Sequence, residues 1–191
     1  MRFLNARQCV HDAYATNLTT PDRMEAGGTK FNSNNAVCHQ AEAGKIIKAV
    51  SEQIPQLRGI CIFLNAPDGC ANEADVTAMK SRLWESFIKK NHMNMDFRLQ
   101  GEMLAIFDRV LLNYRRTCQS PTLGDAYTGA HIAAILGRTA DSYHAKIRPL
   151  QSILHDVIAR FDFISLQPVW EVVNNERAKI QEEREIALCA G

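Results

Sequence analysis

Apolar residues along this chain recur mostly three or four positions apart, and strict alternation of apolar and polar positions is almost absent. A spacing of three and four places side chains on one face of an α-helix, whereas alternation is typical of a β-strand. The pattern therefore predicts an all-α fold. Four amphipathic helices are predicted first, at residues 5–16, 38–54, 72–90 and 97–116.

Prolines and short polar runs indicate where these helices end and where loops connect them. We expect Pro55 to end the helix at 38–54, because proline lacks an amide donor and clashes with the preceding turn. The apolar segment 57–64 is ambiguous by pattern, and we predict a helix because a lone strand would leave its amides without partners. Residues 18–36 are rich in residue types that favour turns, which predicts a long mobile loop.

A break at Ser120, Pro121 and Gly124 divides the chain into two predicted parts. Residues 1–120 form a helical scaffold in this interpretation. Residues 121–191 carry shorter helices and a final long one, and they contain the segment with the most information about function.

The final helix is expected to begin after Pro168. Val169, Val173 and Ile180 lie four and seven positions apart, whereas residues 182–185 are strongly polar. We expect the apolar first half to dock onto the body and the second half to be solvated. A short coiled-coil contact that makes a homodimer, or a helix that binds another partner, would produce the same pattern.

Residues 129–154 contain the residue types that a helix-turn-helix requires. A first helix would end at Gly137, which can adopt the left-handed conformation that terminates helices. Thr139 would cap a second helix by accepting hydrogen bonds from the amides of its first turn. The packing residues are Ile132, Ala133 and Leu136 in the first helix, and Tyr143 and Ile147 in the second.

The run 132–139, followed by Tyr143 and Ile147, resembles the helix-turn-helix of region four of bacterial sigma factors. That family reads promoter DNA and contacts RNA polymerase, so the resemblance implies both partners. The order of helical scaffold, this segment and an apolar helix is also similar to the late-gene antitermination proteins of lambda-like phages. Pro149 departs from the sigma pattern, and we expect the second helix to stop near Arg148 with Pro149 opening the next one.

Charge is distributed unevenly along a chain whose formal net charge is only +1. Residues 109–148 hold six basic and two acidic residues, a net +4, whereas residues 156–191 hold four basic and seven acidic residues, a net −3. Because Lys and Arg neutralise phosphates, the basic segment favours a nucleic-acid contact at the second helix. The predicted contact residues are Arg115, Arg116, Arg138, Lys146 and Arg148 for phosphates, Ser142 and His144 for the groove, and Thr139 at the cap.

These features predict a sequence-specific DNA-binding transcription regulator whose partners are duplex DNA and, through the resemblance, RNA polymerase. The alternative from another class is a helical adaptor or inhibitor that binds an acidic protein surface and no DNA. No nucleophile with a neighbouring base and no glycine-rich phosphate loop stands out, so we expect no enzymatic activity and no cofactor. No run is apolar enough to span a membrane or to serve as a secretory signal, which favours the cytoplasm.

The six cysteines contain no CxxC pair, and free thiols are expected. Cys9, His11, Cys38 and His39 offer the four ligands of a structural zinc site, but adjacent residues on a helix point in different directions. We therefore expect buried thiols and surface histidines there, with zinc as the alternative. Cys118 follows two arginines, so an activated thiolate is weighed against an incidental thiol.

Overall fold

The computed structural model describes residues 5–18, 33–91, 95–120, 122 and 124–189, with backbone alone at 16–18, 33–40 and 189. Every regular element in these ranges is helical and none is a strand, which confirms the predicted all-α class. A π-helical turn at Tyr143–Ile147 joins the last two helices. The helices are α1 (Ala6–Leu18), α2 (Ser33–Ser51), α3 (Pro55–Asn65), α4 (Glu73–Asn91), α5 (Phe97–Gln119), α6 (Gly129–Ile135), α7 (Ala140–Ser142) and α8 (Arg148–Cys189).

Two expectations about helix ends are corrected. Pro55 is the first residue of α3, where its missing amide would have no partner in any case, and α2 already ends at Ser51. The segment 57–64 is helical as predicted. Residues 33–36 of the predicted loop belong to α2, and residues 19–32 lie outside the described part of the chain.

The buried apolar side chains form two clusters, and α3 and α8 contribute to both. The first cluster joins α3, α4 and α5 to residues beyond the predicted boundary near 120, among them Ile132 and Ile147. The second packs α1 and α2 against α3 and against Val169 and Val173 of α8. The division of the chain at 120 stays a prediction, and the two predicted parts share the first cluster.

Helix α8 has 42 residues, a length of roughly 63 Å at the rise of an α-helix. Pro168 lies inside it, so the expectation that a new helix begins after this proline is wrong. Leu166 and Val169 beside it are buried, and this packing outweighs the loss of one backbone hydrogen bond. Residues 177–188 are exposed on all sides. None of the helices in the described ranges has the length and apolar character needed to cross a bilayer.

A buried carboxylate on α8 links this helix to three others. Asp162 of α8 is fully buried and accepts hydrogen bonds from Arg7 of α1 and from the phenol of Tyr114 of α5, the latter at 2.9 Å. The amide of Asn65 at the end of α3 also donates to Asp162, at 3.3 Å. Because an unpaired buried charge is costly, these three donors fix how α1, α3 and α5 meet α8.

Candidate nucleic-acid interface

A short helix, a glycine turn and a second helix follow one another between residues 129 and 147. Thr128 caps α6 by accepting a hydrogen bond from the amide of His131. Gly137 has a φ of +61°, the left-handed conformation that residues with a Cβ rarely adopt. Thr139 then caps α7 by accepting a hydrogen bond from the amide of Ser142 at 3.3 Å. The local roles predicted for Gly137 and Thr139 are confirmed.

The inner faces of these helices pack into the first core cluster. Ile132, Ala133, Tyr143 and Ile147 are all buried, and the packing role predicted for them is confirmed. The phenol of Tyr143 donates to the side-chain amide oxygen of Gln151 at 2.7 Å. Because these side chains fix the inner sides of the two helices, the side chains on their other sides point toward solvent.

The second helix does not stop at Arg148, which corrects the expectation drawn from Pro149. Ser142, Tyr143 and Arg148 all have right-handed helical dihedrals, so α7 runs through the π-turn into α8 without a break. In a regular α-helix the ring of Pro149 would clash with the carbonyl of Ala145. The π-turn ends two residues before this proline. At its end the amide of Arg148 donates to the carbonyl of Tyr143, five residues back, where a regular α-helix would use the residue four back. The widened turn accommodates Pro149 within one helix.

Arg138 is mostly buried and forms an ion pair with Glu102, a contact that the sequence analysis did not predict. Its guanidinium donates to both oxygens of Glu102 on α5, at 2.8 and 2.9 Å, and to the hydroxyl of Ser142 at 2.6 Å. Arg138 and Ser142 are therefore brought together, with Ser142 accepting from Arg138 and only Arg138 bonding to Glu102. Both edges of the Arg138 guanidinium are engaged within the protein.

Arg115 and Arg116 lie near the C-terminal end of α5, away from Arg138. Arg115 is thirteen residues beyond Glu102, which is roughly 20 Å along the helix axis. Its guanidinium pairs with Asp68 at 2.6 Å and stacks on the ring of Phe63 at 4.9 Å. Arg116 is half-buried. These two arginines and Arg138 do not form one patch.

The remaining four predicted residues are all exposed, and we call the solvent-exposed part of the helix that they form the exposed helix face: Thr139, His144, Lys146 and Arg148. His144 and Arg148 lie on one flank of this helix and Lys146 on the other, because residues two positions apart do not face each other. A guanidinium nitrogen of Arg148 lies 3.3 Å from Nδ1 of His144, one helical turn away. Neither Lys146 nor Arg148 has a carboxylate within salt-bridge distance in the described ranges. Among the residues that the structure describes, the charges of Lys146 and Arg148 therefore form no ion pair.

A cleft of about 410 Å³ borders the exposed helix face. His144, Arg148 and His155 contribute nitrogen donors to it, and Ser152 and Gln151 contribute neutral polar groups. Asp125 is the acidic residue that lines it. A cleft with these donors can hold an anionic group such as a phosphate oxygen by hydrogen bonds and charge.

The structure places only part of the predicted zinc site and describes the surroundings of the Cys118 thiol. Cys9 is buried and His11 is half-buried, while the side chains of Cys38 and His39 lie outside the described part of the chain. Within the described residues, no group of three or more potential ligands is arranged to hold a metal ion. Burial raises the pKa of Cys118 to about 11, even though Arg7 lies beside it. The thiol form of Cys118 is therefore favoured near neutral pH, contrary to the activated alternative.

A second basic surface escaped the sequence reasoning. Helices α4 and α8 border a groove of about 610 Å³, here called the α4–α8 groove. It is lined by apolar and mostly basic side chains, with Asp156 as an acidic member. The doublet at 89–90 was the available signal in the sequence; Arg82 lies on the same helix, and packing of α4 on α8 adds Arg160. The groove residues used below are Lys89, Lys90, Arg160, Phe161 and Ile164.

Comparison of the chain with protein-family models, with curated proteins and with solved structures finds no match.

Proposed function

We propose that this protein is a DNA-binding transcription regulator that contacts duplex DNA through the exposed helix face. The observation that carries the proposal is the pair Lys146 and Arg148. Both are exposed on a helix that follows a glycine turn, and neither has an acidic partner in the described ranges. Of the five cations predicted to contact phosphates, these two are the ones whose charge is most available to a polyanion.

The residues of the face divide into two kinds of contact. Lys146 and Arg148 would neutralise phosphates and release counterions, which makes binding fall with increasing salt. His144 lies one helical turn before Arg148 and would donate to a base edge or a phosphate, depending on how deeply the helix enters the major groove. Arg138 would position the exposed helix face without contacting DNA. Its hydrogen bond to Ser142 and its ion pair with Glu102 fix the start of the second helix.

The resemblance to region four of sigma factors adds RNA polymerase as a second proposed partner, and an antitermination role in the manner of lambda-like phage proteins. Both would act in the cytoplasm. They require a surface separate from the exposed helix face, because that face would be covered by DNA. The proposal for DNA contact does not depend on either partner.

The experiment measures DNA retention by fluorescence anisotropy over a series of salt concentrations, using sheared genomic fragments. The test variant is Lys146→Ala with Arg148→Ala. The matched control is Lys89→Ala with Lys90→Ala, which removes the same charge from the α4–α8 groove. We expect the test variant to lower the slope of log affinity against log salt by about two, since each phosphate contact contributes about one.

The control variant is expected to bind DNA with the slope of the unchanged protein. Equal DNA retention by the test variant and the unchanged protein would overturn the proposal. Circular dichroism of both variants establishes that they remain folded, and the sites are exposed, so their stability should change by less than about 0.5 kcal/mol.

A second candidate function, that of an adaptor, is favoured by the α4–α8 groove. Phe161 and Ile164 line it with apolar surface while Lys89, Lys90 and Arg160 supply cations. That combination suits a helix with acidic and apolar faces. A labelled synthetic helix with glutamates on one face and leucines on the other is the probe. Under the adaptor hypothesis it binds the unchanged protein and loses affinity for the Lys89→Ala, Lys90→Ala variant.

A further inference from the structure

The cleft of about 410 Å³ is lined by hydrogen-bond donors along one flank of the continuous helix formed by α7, the π-turn and α8. This flank continues about two helical turns past Arg148, the last residue predicted to contact DNA. Most of its members are three or four positions apart, which places them on one side of the helix. We call these five residues the cleft flank: His144, Arg148, Gln151, Ser152 and His155.

His155 is supported at the far end of the cleft flank by an aromatic contact. Its ring lies against that of Tyr114 in an edge arrangement, with 4.9 Å between the ring centroids and an interplanar angle of 66°. Tyr114 is buried, and its phenol donates to the buried carboxylate of Asp162 at 2.9 Å. Because the imidazole rests on a fixed support, less side-chain freedom is lost when a ligand binds to it.

Gln151 is oriented so that its amide nitrogen is available to a ligand. The phenol of Tyr143, which is only 4% exposed, donates to the amide oxygen of Gln151 at 2.7 Å. The amide nitrogen is a donor, and it has no hydrogen-bond partner in the part of the chain that the structure describes. A buried group of the core thus directs this donor on the cleft flank.

The contact between Arg148 and His144 leaves both side chains able to donate. A guanidinium nitrogen of Arg148 lies 3.3 Å from Nδ1 of His144. Because a guanidinium only donates, Nδ1 is the acceptor in this contact, and the ring proton of neutral His144 lies on Nε2. That N–H and the remaining guanidinium N–H groups can donate to a ligand.

We propose that the cleft flank binds one sugar–phosphate unit, whose phosphate oxygens accept hydrogen bonds from His144, Arg148 and His155. Phosphate oxygens are strong acceptors, and hydrogen bonds to a charged group are stronger than those between neutral groups. Gln151 and Ser152 would donate to ester or sugar oxygens. The volume of the cleft is within the range of small-ligand sites, roughly 300–1,000 Å³, which leaves room for the attached sugar.

The ligand we expect is a backbone phosphate of bound DNA, and in this respect the inference rests on the proposed function. It extends the DNA contact to His155, which lies seven residues beyond Arg148. A free phosphate ester has the same chemistry and is the other source of such a ligand. Asp125 lines the cleft and opposes an anion there, so its removal should strengthen binding from either source.

The first measurement is an NMR titration of the full chain with inorganic phosphate, at an ionic strength held constant with sodium chloride. We expect saturable shifts at the cleft flank with a dissociation constant of about 1–10 mM, since so small a ligand makes few contacts. His155→Phe keeps a ring against Tyr114 but removes the N–H donors. It should weaken phosphate binding at least about fivefold.

Two further variants control for damage to the fold. His131→Phe makes the same exchange at an exposed residue of α6 outside the cleft and should leave phosphate binding unchanged. Asp125→Asn should tighten it at least about twofold, because it removes a like charge. A gain of affinity is a result that structural damage would not produce.

The second measurement identifies the source of the phosphate by fluorescence anisotropy with duplex DNA. Weaker binding of both phosphate and DNA by His155→Phe assigns the cleft to the DNA backbone. Weaker binding of phosphate with unchanged DNA retention assigns the same site to a free phosphate ester.

The inference is overturned if phosphate gives no saturable shifts at the cleft flank at concentrations well above the expected dissociation constant. It is also overturned if His155→Phe binds phosphate as the unchanged protein does, or if His131→Phe weakens binding equally. The phosphate titration contains no DNA, so these outcomes are distinct from a failure of the proposed function, which is decided by DNA retention alone.

Discussion

Arg138 and Glu102 form a two-point ion pair that joins the glycine turn to the middle of α5. Two guanidinium nitrogens donate to the two carboxylate oxygens at 2.8 and 2.9 Å. The side chains are only 10% and 14% exposed. The pair makes Glu102, which lies 36 residues away in sequence, a structural part of the proposed interface.

Glu102→Gln should lower the free energy of unfolding by about 1–3 kcal/mol, because Arg138 would then be a nearly buried cation without its carboxylate. Urea unfolding at neutral pH measures the change. Glu85→Gln is the control, since Glu85 is 69% exposed and makes a 3.7 Å pair with Arg82 on its own helix. The control should change stability by less than about 0.5 kcal/mol. Equal effects of the two substitutions would contradict a structural role for Glu102.

Arg138→Ala should separate stability from DNA binding. We expect a loss of stability similar to that of Glu102→Gln and a salt slope of DNA binding equal to that of the unchanged protein, because the charge of Arg138 is already paired. The measurement combines urea unfolding with the anisotropy series, carried out at a temperature where the variant is folded. A salt slope lowered by about one would show that Arg138 itself contacts a phosphate.

Arg7→Ala should be strongly destabilising, because it removes a charged partner from the fully buried Asp162. We expect a loss of about 3 kcal/mol in the free energy of unfolding. The added substitution Asp162→Asn should recover part of this loss, since the remaining amide carries no charge to bury. A double variant less stable than Arg7→Ala, measured by thermal and urea unfolding, would be evidence against charge pairing at this site.

Acid should weaken the contact between α3 and α4 through Asp75. The guanidinium of Arg58 donates to both oxygens of Asp75, at 2.6 and 2.7 Å, and lowers the pKa of that carboxyl, as does the amide of Asn72. A lowered pKa in the folded state stabilises the protein above the unfolded value of about 3.9. That contribution is lost as the pH falls through the folded pKa.

The measurement is the difference in unfolding free energy between the unchanged protein and Asp75→Asn, from pH 7 down to pH 3. We expect a difference of about 2 kcal/mol at neutral pH that shrinks below about pH 4. In an Arg58→Ala background the same comparison should vary less with pH. A difference that is constant over this range would contradict the assigned role of the Arg58 guanidinium.

Gly59 permits the close contact of α3 with α4. A Cβ at this position would lie 2.3 Å from the backbone oxygen of Asp75. Gly59→Ala should therefore destabilise the protein by about 1–3 kcal/mol, because the two helices must separate. Gly44→Ala is the matched control on α2, where a Cβ meets nothing within 4 Å, and it should stabilise by about 0.5–1 kcal/mol. Thermal unfolding of both variants tests the opposite signs.

Local rules were sufficient for the helices and for the turn of the proposed interface. The spacing of apolar residues placed α4 and α5 to within a few residues, and Gly137 and Thr139 adopt the conformations expected of them. These outcomes depend on atoms that are close in sequence. The predicted phosphate contacts were chosen by charge and by position around the turn, and these did not separate Arg138 from Lys146.

By itself, the sequence determined that the chain is helical, where most helices lie and which turn precedes the proposed DNA-contacting helix. Only the tertiary structure decided which cations are available, because Glu102 and Asp68 are brought to Arg138 and Arg115 by packing. It also decided that Pro149 and Pro168 lie within helical backbone. The cost of a proline or of a desolvated charge is set by what surrounds it, and that environment is assembled from distant parts of the chain.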